Sequence, residues 1–309
     1  MEKMITFIVN PTSGQGTGAL AAPQLEQRAK ANCLEYRLVM TEGVGHAIQL
    51  AREAAASGIV VAVGGDGTSN EVLNGLMQAR QAGEANPTMA VIGVGRGNDF
   101  AFGVGIPAGL EAGYEVLTRG IKKPMDVGHV VGGLFPQGRF FGNGVGIGFD
   151  AVVGFEAMKL KHLHGFANYL VAALRTMFLF YRAPKVRVEL DSETITLPAL
   201  MVSIMNGRRM GGGFMMAPQS LLDDGLLDLC IVGQVSRAGI LGLIPQFTKG
   251  TQAGHPKVSM RQSRLVKVIA EQGSLPAHAD GETLCTEGES LEIELLPGAL
   301  NIMRPEQIP

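Results

Sequence analysis

Apolar runs punctuated by glycine, proline and polar residues recur along this chain, and their pattern changes near Pro124. In the first part, Met4 to Val9, Leu34 to Met40, Ile59 to Val63 and Met89 to Val94 read as strands. Ile59 to Val63 is five apolar residues, four of them β-branched, the signature of a strand buried on both faces. Helices are predicted between these runs: from about Pro23, a favourable first helical residue, to Asn32; from Ala47 to Ala56; after Gly67; and from Leu110 to Arg119. Thr68 and Glu71 have capping-box spacing, which starts the third of these helices at that point, with Leu73, Leu76 and Met77 on one apolar face. Strands alternating with helices predict a doubly wound α/β domain with a parallel sheet. Beyond Pro124, strand follows strand: Met125 to Val131, Arg139 to Asn143, Lys185 to Asp191, Thr194 to Met205, Leu226 to Val232, Leu265 to Ala270 and Leu291 to Leu295. Asp191-Ser192-Glu193 reads as a hairpin turn, and the whole as an antiparallel, all-β sandwich.

Composition narrows the functional classes. Of 309 residues, 46% are hydrophobic and 17% charged, below the usual quarter, so apolar surface is expected to be hidden in a homodimer or against lipid. Lys and Arg number 26 against 28 Asp and Glu, which provides no basic field for nucleic acid. Cys33, Cys230 and Cys285 are odd in number and scattered, arguing against a disulfide framework or zinc knuckle and for a reducing cytoplasm. Met1-Glu2-Lys3-Met4-Ile5 leads almost directly into a strand, with no secretory signal evident.

The stretch Gly64-Gly65-Asp66-Gly67-Thr68 joins a strand to a helix through glycines. Such a junction aims free N–H groups and the positive end of a helix dipole at one point, which suits phosphate. An ordinary βα turn has the same glycines. Asp66 favours the ligand, because a carboxylate inside a phosphate cradle repels unless a cation or donor intervenes. Ligands on parallel sheets bind beyond the carboxyl ends of the strands, so the loops from Asn10, Thr41, Gly64 and Gly95 should share one cleft.

These loops resemble those of the diacylglycerol kinase, sphingosine kinase and NAD kinase superfamily. Asn10-Pro11-x-Ser13-Gly14, Thr41 before Gly45-His46-Ala47, the Gly-Gly-Asp-Gly-Thr turn and Asn98-Asp99-Phe100-Ala101 look like four ordered signatures of its lipid-kinase branch. The resemblance implies an NAD kinase-like α/β nucleotide domain over 1–124, a β-sandwich lipid-substrate domain over 125–296, a tail of about 297–309 returning to the first, and an active site between the two. It implies that ATP meets Asn10, Thr41, the run Gly65, Asp66, Gly67, Thr68, Ser69, Asn70 and Glu71, and the loop of Arg96 and Asp99. The family usually has a small hydroxyl residue where this chain has Arg96. A guanidinium there could hold two phosphate oxygens, or be a solvated loop arginine.

In the second half, Leu221-Leu222-Asp223-Asp224-Gly225-Leu226-Leu227-Asp228 resembles a family loop that holds a structural Mg2+. Carried over, the ligands are the Asp224 carboxylate and the Leu221 and Leu226 carbonyls, oxygen donors suited to a hard cation. Without the resemblance this is an acidic hairpin. Asp280-Gly281-Glu282 resembles the triplet that supplies the catalytic base, which implies Asp280 as the acceptor of the lipid hydroxyl's proton and Glu282 as a support for the site or the nucleotide. Asp126 corresponds to an acidic residue near Asp66 and Asp99 in a water-mediated Mg2+ network; read alone, it is a cap or turn residue.

Residues 157–188 contain no Asp or Glu, but do contain Lys159, Lys161, Arg175, Arg182, Lys185 and Arg187 around an apolar, aromatic stretch from Phe166 to Tyr181. Asn168, Arg175 and Thr176 are too polar for a membrane-spanning helix. The segment is either a helix on an anionic membrane surface, placing the protein at the inner membrane face, or a helix packed between domains or subunits. The resemblance as a whole implies a lipid kinase that transfers the γ-phosphoryl group of ATP, with diacylglycerol the first acceptor and a sphingoid base, ceramide-like lipid or monoacylglycerol as others. An NAD kinase-like enzyme and a non-catalytic nucleotide or lipid sensor are the rival classes.

Overall fold

The computed structural model describes residues 4–160, 165–179 and 183–307. The chain divides into one unit of residues 1–127 with 297–309 and a second of residues 128–296.

In the first unit, β1 (Met4–Val9), α1 (Thr17–Ala31), β2 (Tyr36–Met40), α2 (His46–Ala54), β3 (Gly58–Gly64), α3 (Asp66–Gln81), β4 (Thr88–Gly93), α4 (Asp99–Gly103) and α5 (Leu110–Arg119) follow in order, and β5 (Ile121–Gly132) leaves it. The strands pair in parallel in the order β2-β1-β3-β4. Val60, Val61, Ala62 and Val63 of β3 are buried on both faces, each valine contributing about 1.5–3 kcal/mol. One face packs Ile5, Phe7 and Val61 against Ala21, Leu25, Tyr114 and Leu117 of α1 and α5.

Two expectations for this unit need correction. Helix α1 begins at Thr17, not near Pro23, which lies inside it. Gly16 in the left-handed region breaks the preceding turn, and Ala21, Ala22 and Leu25 bury the same face on both sides of the proline. Helix α3 begins at Asp66, two residues before the expected capping box. Thr68 Oγ1 accepts a hydrogen bond from Asn10 Nδ2 at 3.0 Å, and Glu71 turns away to a neighbouring helix, so neither caps α3.

The second unit holds β6 (Phe135–Phe141), β7 (Gly144–Gly148), α6 (Phe149–Lys159), α7 (Gly165–Leu179), β8 (Lys185–Leu190), β9 (Thr194–Met205), β10 (Leu227–Gly233), α8 (Arg237–Lys249), β11 (Val258–Ser263), β12 (Leu265–Gln272), β13 (Leu275–Ala279), β14 (Glu282–Gly288) and the start of β15 (Ser290–Arg304). Two antiparallel layers run β6-β5-β15-β12-β8-β9 and β14-β13-β7-β9-β10-β11, with β9 passing from one to the other. Their facing side chains, among them Phe141, Ile147, Val188, Ile204, Leu229, Val268 and Leu291, form the sandwich core. The turn at Asp191-Ser192-Glu193 joins β8 to β9, closed by Leu190 N–H on the Glu193 carbonyl at 2.8 Å. Helices α6 and α8 interrupt the strand-after-strand expectation, and with α7, the helix expected within 157–188, they cover the outer face of the second layer over Phe149, Val153, Ala172, Met201, Cys230 and Leu243. The strand expected over Leu291 to Leu295 continues to Arg304, and its last residues pair in parallel with β4, Asn301 beside Thr88 and Ile302 beside Met89, as a fifth strand of the first unit's sheet.

Candidate active site

Parallel pairing puts the ends of β1, β2, β3 and β4 at one edge of the first unit's sheet, and the loops leaving that edge interlock. Asn10 Nδ2 donates to Thr68 Oγ1, joining the first loop to α3, and Val94 N–H donates to the Gly64 carbonyl at 2.9 Å. Gly65 and Gly95 touch backbone to backbone: a Cβ built on Gly95 would stand 2.3 Å from Gly65 Cα. Only glycines allow that approach. Asn98 locks the fourth loop, with φ at 53° and both ends of its amide on Gly95, Oδ1 accepting from N–H and Nδ2 donating to the carbonyl, each at 3.0 Å.

Two carboxylates face each other there. Asp66 opens α3 and Asp99 opens α4. Asp66 Oδ1 accepts from Phe100 N–H at 3.0 Å. A Cβ on Gly97 would lie 2.7 Å from Asp66 Oδ2 and 3.5 Å from Asp99 Oδ2, so both line the space over that glycine. Two like charges at two helix N-termini suit a divalent cation that also meets phosphate oxygens. Asp126, buried in β5, accepts from Gly298 N–H through Oδ1 at 2.7 Å, which ties it to the returning tail. Among the described residues no three His, Cys, Asp or Glu side chains converge as a ready-made cage. Magnesium keeps most of its waters and needs only one or two carboxylates, which fits the Asp66 and Asp99 pair.

The remaining expected nucleotide residues divide by place. Ser69 and Asn70 are buried within α3, with Gly67 exposed at its first turn. Thr41 follows β2, its N–H donating to the Val9 carbonyl at 2.8 Å. Glu71 reaches the start of α2: its carboxylate accepts from Gly45 N–H at 2.8 Å and Ala47 N–H at 3.2 Å, which ties α3 to the second loop. Arg96 is exposed and, among the described residues, makes no ion pair.

In the second unit, Asp280 follows β13 with φ at 48°, a conformation that aspartate tolerates better than most residues. Its Oδ2 accepts from Gly142 N–H at 2.8 Å, and its Oδ1 from Asn143 and Gly144 N–H at 3.0 and 2.9 Å. The carboxylate is thus buried and fixed by the segment joining β6 to β7, and Glu282 opens β14 just beyond it. Sequence patterns could not show this cradle, because Gly142 to Gly144 lie 136 or more residues away. Asn143 and Asn206 extend it: Asn206 Nδ2 donates to the Gly142 carbonyl at 2.9 Å, and Asn206 and Gly207 N–H both donate to the Asn143 carbonyl at 2.8 Å.

The acidic loop forms an Asx turn, Asp224 Oδ1 accepting from Leu226 N–H at 3.0 Å. Leu221 is exposed and Leu226 half-buried. Asp228, two residues on, is buried, and its Oδ2 has no hydrogen-bond partner among the described residues. Burial, and secondarily the Asp224 charge, push its carboxyl above the ordinary range. A buried carboxyl that feels the Asp224 charge, beside an exposed acidic loop of oxygen donors, fits a hard cation held at Asp224 with the Leu221 and Leu226 carbonyls.

Two family models match the chain. One, described as the diacylglycerol kinase catalytic domain, covers residues 4–130; the other, described as the YegS C-terminal NAD kinase beta sandwich-like domain, covers residues 143–304. A diacylglycerol kinase of Mycobacterium tuberculosis (strain ATCC 25618 / H37Rv) is 29% identical over 305 residues, 97% of this chain and 95% of the relative. A YegS-like lipid kinase of Enterobacter sp. (strain 638) is 35% identical over 272 residues, 86% of this chain and 85% of the relative. The crystal structure of a diacylglycerol kinase from Bacillus anthracis str. Sterne has the same fold, with a TM-score of 0.74 at 22% identity over 100% of this chain and 98% of that one.

Proposed function

We propose that this chain, which belongs to the diacylglycerol kinase family of YegS-like lipid kinases, transfers the γ-phosphoryl group of ATP to a lipid hydroxyl, diacylglycerol first, yielding phosphatidic acid. The observation that carries this is the pair of carboxylates, Asp66 and Asp99, meeting over Gly97 at two helix N-termini where four loops interlock. The N–H groups of the Gly65 to Thr68 turn receive the phosphates, and Asn10 and Asn98 hold the loops in register. Asp66 and Asp99 would hold Mg2+, with Asp126 through water, and Asp224 with the Leu221 and Leu226 carbonyls would hold a second, structural ion. When bound at the first site, the ion neutralises charge developing on the phosphoryl oxygens. Asp280, fixed by three N–H groups, takes the proton of the acceptor hydroxyl as the oxygen attacks phosphorus.

The experiment is radiolabelled ATP with purified protein and vesicles carrying diacylglycerol, monoacylglycerol, ceramide or a sphingoid base, with NAD offered without lipid. Label in phosphatidic acid is expected. Label in NADP alone, or turnover with none of these acceptors, overturns the assignment. Arg96 gives a second prediction. Its exposed guanidinium gains a phosphate partner when ATP binds, so Arg96→Thr should raise the Michaelis constant for ATP roughly tenfold with kcat little changed. An unchanged constant returns Arg96 to an ordinary loop residue.

The acceptor lies in a membrane, and α7 is the part of the second unit suited to meet it. Ala172, Ala173, Thr176 and Met177 are buried, while Val171, Leu174 and Phe178 form an exposed apolar stripe, with Arg237 of α8 over the Phe178 ring at 5.7 Å. Among the described residues no helix is long and apolar enough to cross a bilayer, so contact would be along the surface. Lys161, Phe180, Tyr181 and Arg182 lie outside the described residues. Phe178→Asp should abolish flotation with anionic vesicles and leave the melting temperature in place. A loss of folding instead would give α7 a packing role.

A further inference from the structure

Beneath α6, a row of polar side chains crosses four strands and is unused by the reaction above. Pairing sets His278 of β13 beside Gly146 of β7, Gly146 beside Ser203 of β9, and Ser203 beside Cys230 of β10. Gly146 leaves a gap in the row, and the carboxyl of Asp150, from the first turn of α6, stands over it. A Cβ on Gly146 would be 2.8 Å from Asp150 Oδ2 and 2.6 Å from His278 Nε2. Ser203 Oγ donates to Asp150 Oδ2 at 2.5 Å and Ala151 N–H to Oδ1 at 2.9 Å. Asp150 is buried. His278 is only half-buried as a residue, yet its Nδ1 is shut off from water with no hydrogen-bond partner among the described residues. Around them lie Phe149, Val153, Met201 and Met205. Of the charged groups on the covering helices, Glu156 is engaged with Lys159 and Arg175 and Arg237 lies over Phe178, while Lys249 is in the last turn of α8.

We propose that Asp150, standing over Gly146, is a positioning residue for Asp280, a strut whose protonation sets how the strand end carrying that carboxylate is held. The proposal rests on Asp280 being the base. The mechanical link is short. From Gly146, β7 runs back to Gly144, whose N–H holds Asp280 Oδ1 and whose carbonyl accepts from Asp280 N–H at 3.0 Å. From His278, β13 runs forward to Asp280, with Ala279 beside Val145. Both arms of the link thus end on the same carboxylate.

Burial pushes the Asp150 carboxyl up to about 7, although the Ser203 hydroxyl and Ala151 N–H oppose it, and burial pulls His278 down to about 4. Burial likewise holds the Cys230 thiol up at about 12, so it stays neutral. Near pH 6 the strut is therefore uncharged. At higher pH the carboxylate forms in an apolar layer with no cation beside it. With His278 held neutral, it is relieved by shifting the first turn of α6, which displaces the arm that starts at Gly146.

The test is the pH dependence of kcat and of melting temperature for the whole chain, assayed with ATP and mixed vesicles. Wild type should lose kcat severalfold as pH rises through about 7, with the Michaelis constant for ATP unmoved. Asp150→Asn should remove that step. Ser203→Ala should move it to higher pH, because the lost hydrogen bond favoured the ionised form; this variant also serves if Asp150→Asn does not fold. A step that persists in Asp150→Asn, or that stays put or moves down in Ser203→Ala, overturns the strut and leaves the base assignment standing. Full turnover in Asp280→Asn overturns both. A wild-type step seen in melting temperature but absent from kcat reduces the row to packing and also overturns the proposal.

Discussion

Asp280→Asn is expected to lower kcat by about a hundredfold or more, the usual range for a lost general base, with the Michaelis constant for ATP within about twofold of wild type. The substitution is well suited to the site. Asparagine accepts the left-handed backbone that Asp280 adopts at φ 48°, and its Oδ1 can keep the hydrogen bonds from Asn143 and Gly144 N–H. Its Nδ2, however, replaces the oxygen that accepts from Gly142 N–H, so donor meets donor at one of three contacts, costing about 1–3 kcal/mol. A modest fall in melting temperature should therefore accompany the loss of turnover. Full turnover would remove Asp280 from the chemistry, and collapse of the fold would show that its cradle is chiefly structural.

The second large effect is expected from one methyl group. Gly95→Ala places a Cβ 2.3 Å from the Cα of Gly65, and neither backbone has a flexible end to yield. The two loops must separate, which costs about 1–3 kcal/mol as overpacking and opens the space lined by Asp66 and Asp99. The Michaelis constant for ATP should rise more than tenfold while the second unit's melting transition is unchanged. Gly43→Ala is the control: a Cβ there meets nothing within 4 Å, and ATP binding should stay at the wild-type level. Equal behaviour of the two variants would mean that the glycine contact does not shape the nucleotide site.

What can be foreseen from residue order follows local signals. β1 and β9 lie where their apolar runs put them, and α5 where its spacing does, because each buries a face with the period of its own backbone. β7 gives no such signal, because glycine fills every other position of Gly144-Val145-Gly146-Ile147-Gly148 and leaves no side-chain alternation to read. The helix α8 contains Gly239, Gly242 and Pro245, all local arguments against it, but Ile240, Leu243 and Phe247 bury one face. In α1 the same kind of override carries a helix through Pro23. At the candidate site, Asp66 and Asp99 can be singled out, since each sits in a short motif at the start of a helix. Glu71 cannot be placed from spacing alone, because its partners belong to a loop 24 and 26 residues earlier. The Asp150–Ser203 contact and the cradle of Asp280 depend on register across several strands, which no local pattern encodes.

The returning end of β15 has a consequence for biosynthesis. Thr88 and Met89 find their outer neighbours only at Asn301 and Ile302, and Asp126 finds Gly298. A ribosome releasing the chain from its N-terminus therefore exposes the parallel sheet of the first unit long before its border strand emerges. At about 5–20 residues per second, that interval is on the order of ten seconds or more. During it, β4 presents unpaired amides to any other nascent chain, so premature termination anywhere before Pro297 would release a sticky, unfinished sheet rather than a smaller working lobe.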